Sequence, residues 1–338
     1  MSSDSFSVSL QSIHIIILQG VIRAGKKVIA VLGATGAQGG GLVRAILNDK
    51  FSEFSVRALT RDVNSPKAKA LAELGAEVVA VDIDNYESIR SAFTNAYGVY
   101  AVTFFWEHFS AEKEISQIAS IAKAAKETAV KHIIWSTLED SRDWIPIDDK
   151  RMPTIHGKYK VPHFDSKGSS DKFFTDLNLP VTFLLTSFYW ENFIYFGMQP
   201  KRGPDGKLAL TIPMGDKKLA GIAAGDIGKC AYGIFEKGNE FIGKKVGIAG
   251  EHLTIQQMAD TFTKFFGEEV VYNAVPFDVY RSFGFPGADD LGNMFQYNHD
   301  FADYFCGARS IEFSKSINPA LKSFDSWLKE NKEKIPLG

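Results

Sequence analysis

Apolar residues recur along this chain in short runs, each followed by a turn marked by Gly, Asp or Ser and then by a stretch with helical spacing. That alternation predicts strands buried on both faces and joined by helices. The first run, residues 28–32, leads straight into Gly33-Ala34-Thr35-Gly36-Ala37-Gln38-Gly39, after which Leu42, Val43, Ile46 and Leu47 share one helical face. Further strands are expected at 55–60, 77–81, 98–104, 131–135 and 179–186. Helices are expected over 86–96 and 111–128, the latter with Ile115, Ile118, Ala119, Ala122 and Ala125 as its buried stripe. The fold class is α/β, a Rossmann-type doubly wound parallel sheet.

From residue 194 the alternation loosens. A turn over 200–207 and a short strand over 208–213 precede a helix over 225–235, and 245–249 returns a last strand to the sheet. Thr254 caps a helix to 266, Phe277, Tyr280, Phe283 and Phe285 cluster, and a closing helix is expected from Asn318-Pro319. The expected organisation is a core over 27–193 completed by 226–250, with a smaller mixed lobe from 194–225 and 251–338. Residues 1–26 precede the first strand and read as an extension. Their apolar stretch, 13–22, is too short to span a bilayer, and Met1-Ser2-Ser3-Asp4 lacks the basic start of a secretory signal. A transit peptide is the alternative.

Composition narrows the function classes. The 338 residues are 45% hydrophobic and 23% charged with net charge -2, without the clustered cations that a nucleic-acid surface needs. The two cysteines, Cys230 and Cys306, are too few and too far apart for a disulfide framework or a zinc site, and suit a reducing compartment.

Candidate chemistry begins at the glycine cluster. Of Gly33, Gly36 and Gly39, one makes the turn, one lets backbone amides approach a pyrophosphate, and one lets the helix lie close on the strand; the positive N-terminal end of that helix then faces the anion. Arg61, ending the second strand, is suited to a 2′-phosphate, with Lys67 or Lys69 nearby, so NADP(H) is expected over NAD(H). A solvated arginine is the alternative, and Asp62 weakens the phosphate site. Asp82 is placed to accept from an adenine amino group. Thr103, Phe104 and Phe105 end the fourth strand beside the switch-point crevice, and Lys113 is either a phosphate or nicotinamide contact or a solvated side chain.

Ser136 ends the fifth strand. In short-chain dehydrogenases a hydroxyl there works with a later Tyr-x-x-x-Lys pair, whose lysine lowers the tyrosine pKa and holds the ribose. Here the pair reads His163-x-x-x-Lys167. His163 can serve as an acid, or it packs while Lys167 alone holds the ribose. Tyr159 would come one turn from His163 only if the helix began before Pro162. Tyr189 and Trp190 are placed to stack on a nicotinamide and Asn192 to donate to it, or the segment is a loop with a cap and core aromatics.

Taken in order, Gly33 to Gly39, Thr60-Arg61, Phe105-Trp106-Glu107, the 163–168 stretch, Tyr189-Trp190-Glu191-Asn192, Pro204 to Lys207 and Gly284 to Ala288 resemble the NmrA-like family, an atypical branch of the short-chain dehydrogenases. The resemblance covers residues 27–335 and is closest to the animal redox-sensor branch. It implies NADP(H) binding, weak or absent catalysis, and a conformation or oligomeric state that follows the NADPH/NADP ratio. It also implies action on protein partners, which in the family include a GATA-type transcription regulator and argininosuccinate synthase, a possible homodimer, and a cytoplasmic and nuclear location. The family's cofactor contacts would fall on Gly33, Ala34, Thr35, Gly36, Ala37, Gln38, Arg61, Asp82, Thr103, Phe104, Phe105, Lys113, Lys167, Tyr189, Trp190, Glu191 and Asn192. Asp62-Val63-Asn64-Ser65 thins the family's basic run, and Phe104 replaces a polar residue. The competing reading is an NADPH-dependent reductase of a small carbonyl or quinone.

Overall fold

The computed structural model describes residues 25–337. Except for its last two residues, the extension expected over 1–26 lies outside them. Seven parallel strands form the main sheet: β1 (Lys27–Val31), β2 (Phe54–Thr60), β3 (Glu77–Ala80), β4 (Gly98–Ala101), β5 (His132–Thr137), β6 (Val181–Leu185) and β7 (Lys245–Gly247). Their spatial order is β7-β6-β5-β4-β1-β2-β3. The order reverses between β1 and β4, so a crevice opens at their carboxyl ends.

Period-two alternation sorts the strand side chains onto two faces. Ile29 and Val31 pack in one core with Leu42, Val43 and Ile46, while Ala30 and Leu32 pack in the other with Ile118, Ile121 and Ala122. Five helices position the site: α1 (Ala37–Asn48), α2 (Ala111–Glu127), α3 (Pro162–Gly168), α4 (Ala224–Glu236) and α5 (Ala288–Asp300). On α2 the buried face runs through Glu114, Gln117, Ile118, Ile121 and Ala125, with Ile115 and Ala119 only partly covered. The stripe is therefore turned from the expected one and takes in a carboxylate.

Two smaller sheets complete the fold. One mixes Glu251–Thr254, Lys218–Ile222 and Phe188–Tyr189; the other mixes Val270–Asn273, Leu208–Thr211 and Lys201–Arg202. A third core of Trp190, Phe193, Phe262, Phe324 and Trp327 joins their helices. The closing helix begins at Phe324, capped by Ser323. Asn318 instead ends a separate helix, Ile311–Ile317, so the Asn-Pro pair marks a break between two helices.

Candidate functional site

A cleft of about 730 Å³ runs along the carboxyl ends of the strands and across the crevice. At one end Gly33 takes φ +64°, which turns the chain out of β1. A Cβ on Gly39 would lie 2.4 Å from the Gly33 carbonyl oxygen, so only glycine lets α1 start this close to the turn. The first N–H groups of α1 have no side-chain cap, and its first turn carries no acid. Together these features suit a pyrophosphate.

Arg61 and Lys67 also line this end. The Arg61 guanidinium is ion-paired with Glu107, at the end of the short turn Phe105–Glu107. Asp62 lines the cleft, and its carboxylate accepts from the Asn64 N–H. Asp82 stands differently from the expectation. Val81, Ile83 and Gln117 line the wall, while the Asp82 carboxylate accepts from the Asp84 N–H. Asp84 in turn binds Lys113 at 2.9 Å and Gln117 at 2.8 Å, which keeps the Lys113 ammonium on that carboxylate and outside the cleft lining.

In the middle of the cleft, buried Lys167 donates to the Thr103 carbonyl at 3.2 Å, the Thr103 hydroxyl at 2.6 Å and Glu114 at 2.7 Å. An ammonium has three N–H donors, so all are occupied. Burial would raise the Glu114 carboxyl, but Lys167 and the Ser166 and Thr103 hydroxyls hold it below its ordinary range. Gln38 is a second hub. Its amide oxygen accepts from Tyr100 and, at 2.9 Å, from Ser136, while its nitrogen donates to Tyr189. Burial pushes the Tyr189 phenol up to about 12 and raises Tyr100 as well, the reverse of a catalytic tyrosine.

His163 and Lys167 lie one turn apart on α3, and both face the cleft. Pro162 is the first residue of that helix, which leaves Tyr159 outside it with its hydroxyl on Glu112 at 3.2 Å. His163 Nδ1 is 2.6 Å from Asp290 of α5, and its ring lies 4.7 Å from that of Trp106. Burial raises the Asp290 carboxyl, against the pull of His163.

Of the 189–192 segment, Tyr189, Glu191 and Asn192 line the cleft. The Glu191 carboxylate nevertheless turns to the Ala224 N–H at 2.7 Å and the Trp327 indole at 3.0 Å. Trp190 is fully buried against Phe324 and Trp327, so its indole is core and cannot stack on a ligand in the cleft. Thr103 and Phe105 are buried in the wall, Phe104 is exposed at the mouth, and Ala34 lies behind the turn with its N–H on Leu59.

Sequence reasoning missed Glu107, Glu114, Gln117, Asp290 and Asn298. Glu107, Glu114, Gln117 and Asp290 have partners far along the chain, which no local pattern announces, and Asn298 is buried on a helix face that the sequence does not single out. Among the described residues there is no group of three or more His, Cys, Asp or Glu arranged for a metal ion, and no helix is long and apolar enough to cross a membrane.

The chain is 29% identical over 265 residues to the NmrA-like family domain-containing oxidoreductase malD of Malbranchea aurantiaca, covering 73% of this chain and 75% of that protein. The crystal structure of NmrA, a negative transcriptional regulator, in complex with NADP superposes with a TM-score of 0.73 at 21% identity, over 90% of this chain and 95% of that one. The Citrobacter triphenylmethane reductase complexed with NADP(H) gives 0.69 at 19% identity, over 90% and 99%. These two likenesses establish the shared fold. The model of the NmrA-like family matches residues 25–328, and the chain belongs to that family.

Proposed function

We propose that the protein binds NADP(H) in this cleft and works as a sensor of the NADPH/NADP ratio, acting on a regulatory partner protein in the cytoplasm or nucleus. The observation that carries this reading is the Lys167 ammonium, whose three donors are occupied by Thr103 and Glu114. With a histidine in the tyrosine position, the lysine–tyrosine relay of a short-chain dehydrogenase is not assembled. The Gly33 turn and the start of α1 would hold the pyrophosphate, Arg61 the 2′-phosphate, and Tyr189 and Asn192 would flank the nicotinamide. The bound nucleotide would supply hydride-transfer chemistry. NmrA, which shares this fold, is a regulator whose crystal structure contains NADP.

NADPH fluorescence followed over time with a panel of quinones and carbonyls tests the proposal. A stable rise on adding protein supports the sensor. A rise that decays only when an acceptor is present overturns it.

The His163–Asp290 contact favours a second reading, an NADPH-dependent reductase. A carboxylate on Nδ1 orients the ring, and in the imidazolium form it leaves the Nε2–H to be given to a developing alkoxide, the proton coming from solvent beforehand. The similarity to an oxidoreductase agrees with it. Under this reading His163→Phe abolishes acceptor-dependent NADPH loss while the fluorescence rise on binding remains.

A further inference from the structure

Gln117, in the second turn of α2, lines the cleft beside Val81 and Ile83, which follow β3. Its amide nitrogen donates to Asp84 at 2.8 Å, and its amide oxygen has no donor among the described residues. The residue is 7% exposed, and that oxygen is not one of the unpartnered polar atoms sealed from solvent, so the surface it keeps opens on the cleft.

The direction of the amide is fixed from behind. A carboxylate only accepts, so Asp84 takes the NH2 side and leaves the oxygen turned away from itself. Asp84 also holds Lys113 at 2.9 Å, and Gln117 and Lys113 together keep its carboxyl below the ordinary range, hence ionised. Turning the amide over would set oxygen against oxygen. At this point the wall therefore presents an acceptor and not a donor.

Position along the cleft says what that acceptor meets. With the pyrophosphate at the Gly33 turn and the 2′-phosphate at Arg61 after β2, the base on the same ribose lies farther out, toward β3 at the sheet edge. Val81 and Ile83 offer it apolar surface there, whereas Asp82, between them, keeps its side chain outside the lining.

We infer that Gln117 selects adenine as the base, its amide oxygen accepting from the 6-amino group, with Asp84 as the positioning residue that holds the amide in that orientation. This role rests on the nucleotide binding proposed above and is independent of hydride transfer. A base with an oxygen in place of the amino group, as in hypoxanthine, would set carbonyl against carbonyl and leave both without a donor.

The test is fluorescence titration of the full chain with NADPH and with reduced nicotinamide hypoxanthine dinucleotide phosphate, which carries the same dihydronicotinamide fluorophore and differs only in the base. The wild type is expected to hold NADPH about tenfold tighter, as for a hydrogen bond replaced by two opposed acceptors. Gln117→Leu closes the gap to about twofold or less, chiefly by weakening NADPH. Asp84→Asn, at a half-exposed position, lets the amide turn over and narrows the gap. Equal affinities in the wild type, or a gap that survives Gln117→Leu, overturn the role of Gln117 while the nucleotide site stands. A gap untouched by Asp84→Asn removes the positioning role. No fluorescence rise with either nucleotide overturns the nucleotide reading and the adenine contact with it.

Discussion

Arg61, at the end of β2, is ion-paired with Glu107, which follows β4, so a carboxylate already occupies the cation proposed to hold a 2′-phosphate. Both side chains are exposed. Such a pair is weak, and a dianionic phosphate can displace the carboxylate. Glu107→Gln is therefore expected to tighten NADPH binding by about two- to fivefold and to leave NADH nearly unchanged. Arg61→Ala should weaken NADPH about tenfold or more and NADH far less. Fluorescence titration with both nucleotides decides it, and equal losses in Arg61→Ala would remove the 2′-phosphate from this site.

Glu114 is fully buried with Lys167, and its carboxyl is held below the ordinary range by that ammonium and two hydroxyls. A carboxyl lowered in the folded state adds stability above its unfolded pKa, and the gain fades as pH falls through the folded value. Glu114→Gln should lower unfolding stability at pH 7 by about 3 kcal/mol, because it leaves the lysine without its counter-charge. It should also flatten the stability profile between about pH 5 and pH 3. Denaturant unfolding across that range measures both.

Arg309 is buried with Glu139 in a bidentate pair at 2.7 and 2.9 Å, and its Nε donates to the Thr186 carbonyl at 2.7 Å. It thereby joins the segments after β5 and β6 to the C-terminal helices. Arg309→Met leaves Glu139 buried and unpaired, with an expected loss of about 3–5 kcal/mol. The double variant Arg309→Met/Glu139→Leu should recover much of it, read by thermal or urea unfolding.

Gly39→Ala would set a methyl group against the Gly33 carbonyl oxygen. The turn or the start of α1 must move, with an expected stability loss of about 1–3 kcal/mol. NADPH binding should fall by a larger factor than stability alone explains, since the displaced amides are the ones proposed to hold the pyrophosphate. A folded variant with unchanged NADPH affinity would contradict that placement.

The parallel sheet was legible because each of its strands is a local apolar run closed by a turn, and periodicity needs no distant partner. Even the strand expected to return to the sheet over 245–249 does so, as Lys245–Gly247, and it pairs with β6. The glycine turn was legible for the same reason, since Gly33 and Gly39 act through local backbone geometry. The surroundings of His163 and Lys167 were not. His163 and Asp290 are 127 residues apart, and nothing in either segment announces the other. Glu114 reads as a surface charge until Lys167 is seen beneath it. Trp190 sits between two cleft residues, and the chain's path from Tyr189 to Glu191 turns its indole into the core instead.

The thirteen residues of α5 hold Asp290 against His163. Trp106, the neighbour of Glu107, has its ring 4.7 Å from that of His163 and stands against Gly287 at the start of α5. The carboxylate paired with Arg61 and the helix that orients His163 are thus one aromatic side chain apart, so whatever displaces the Arg61–Glu107 pair has a short route to His163.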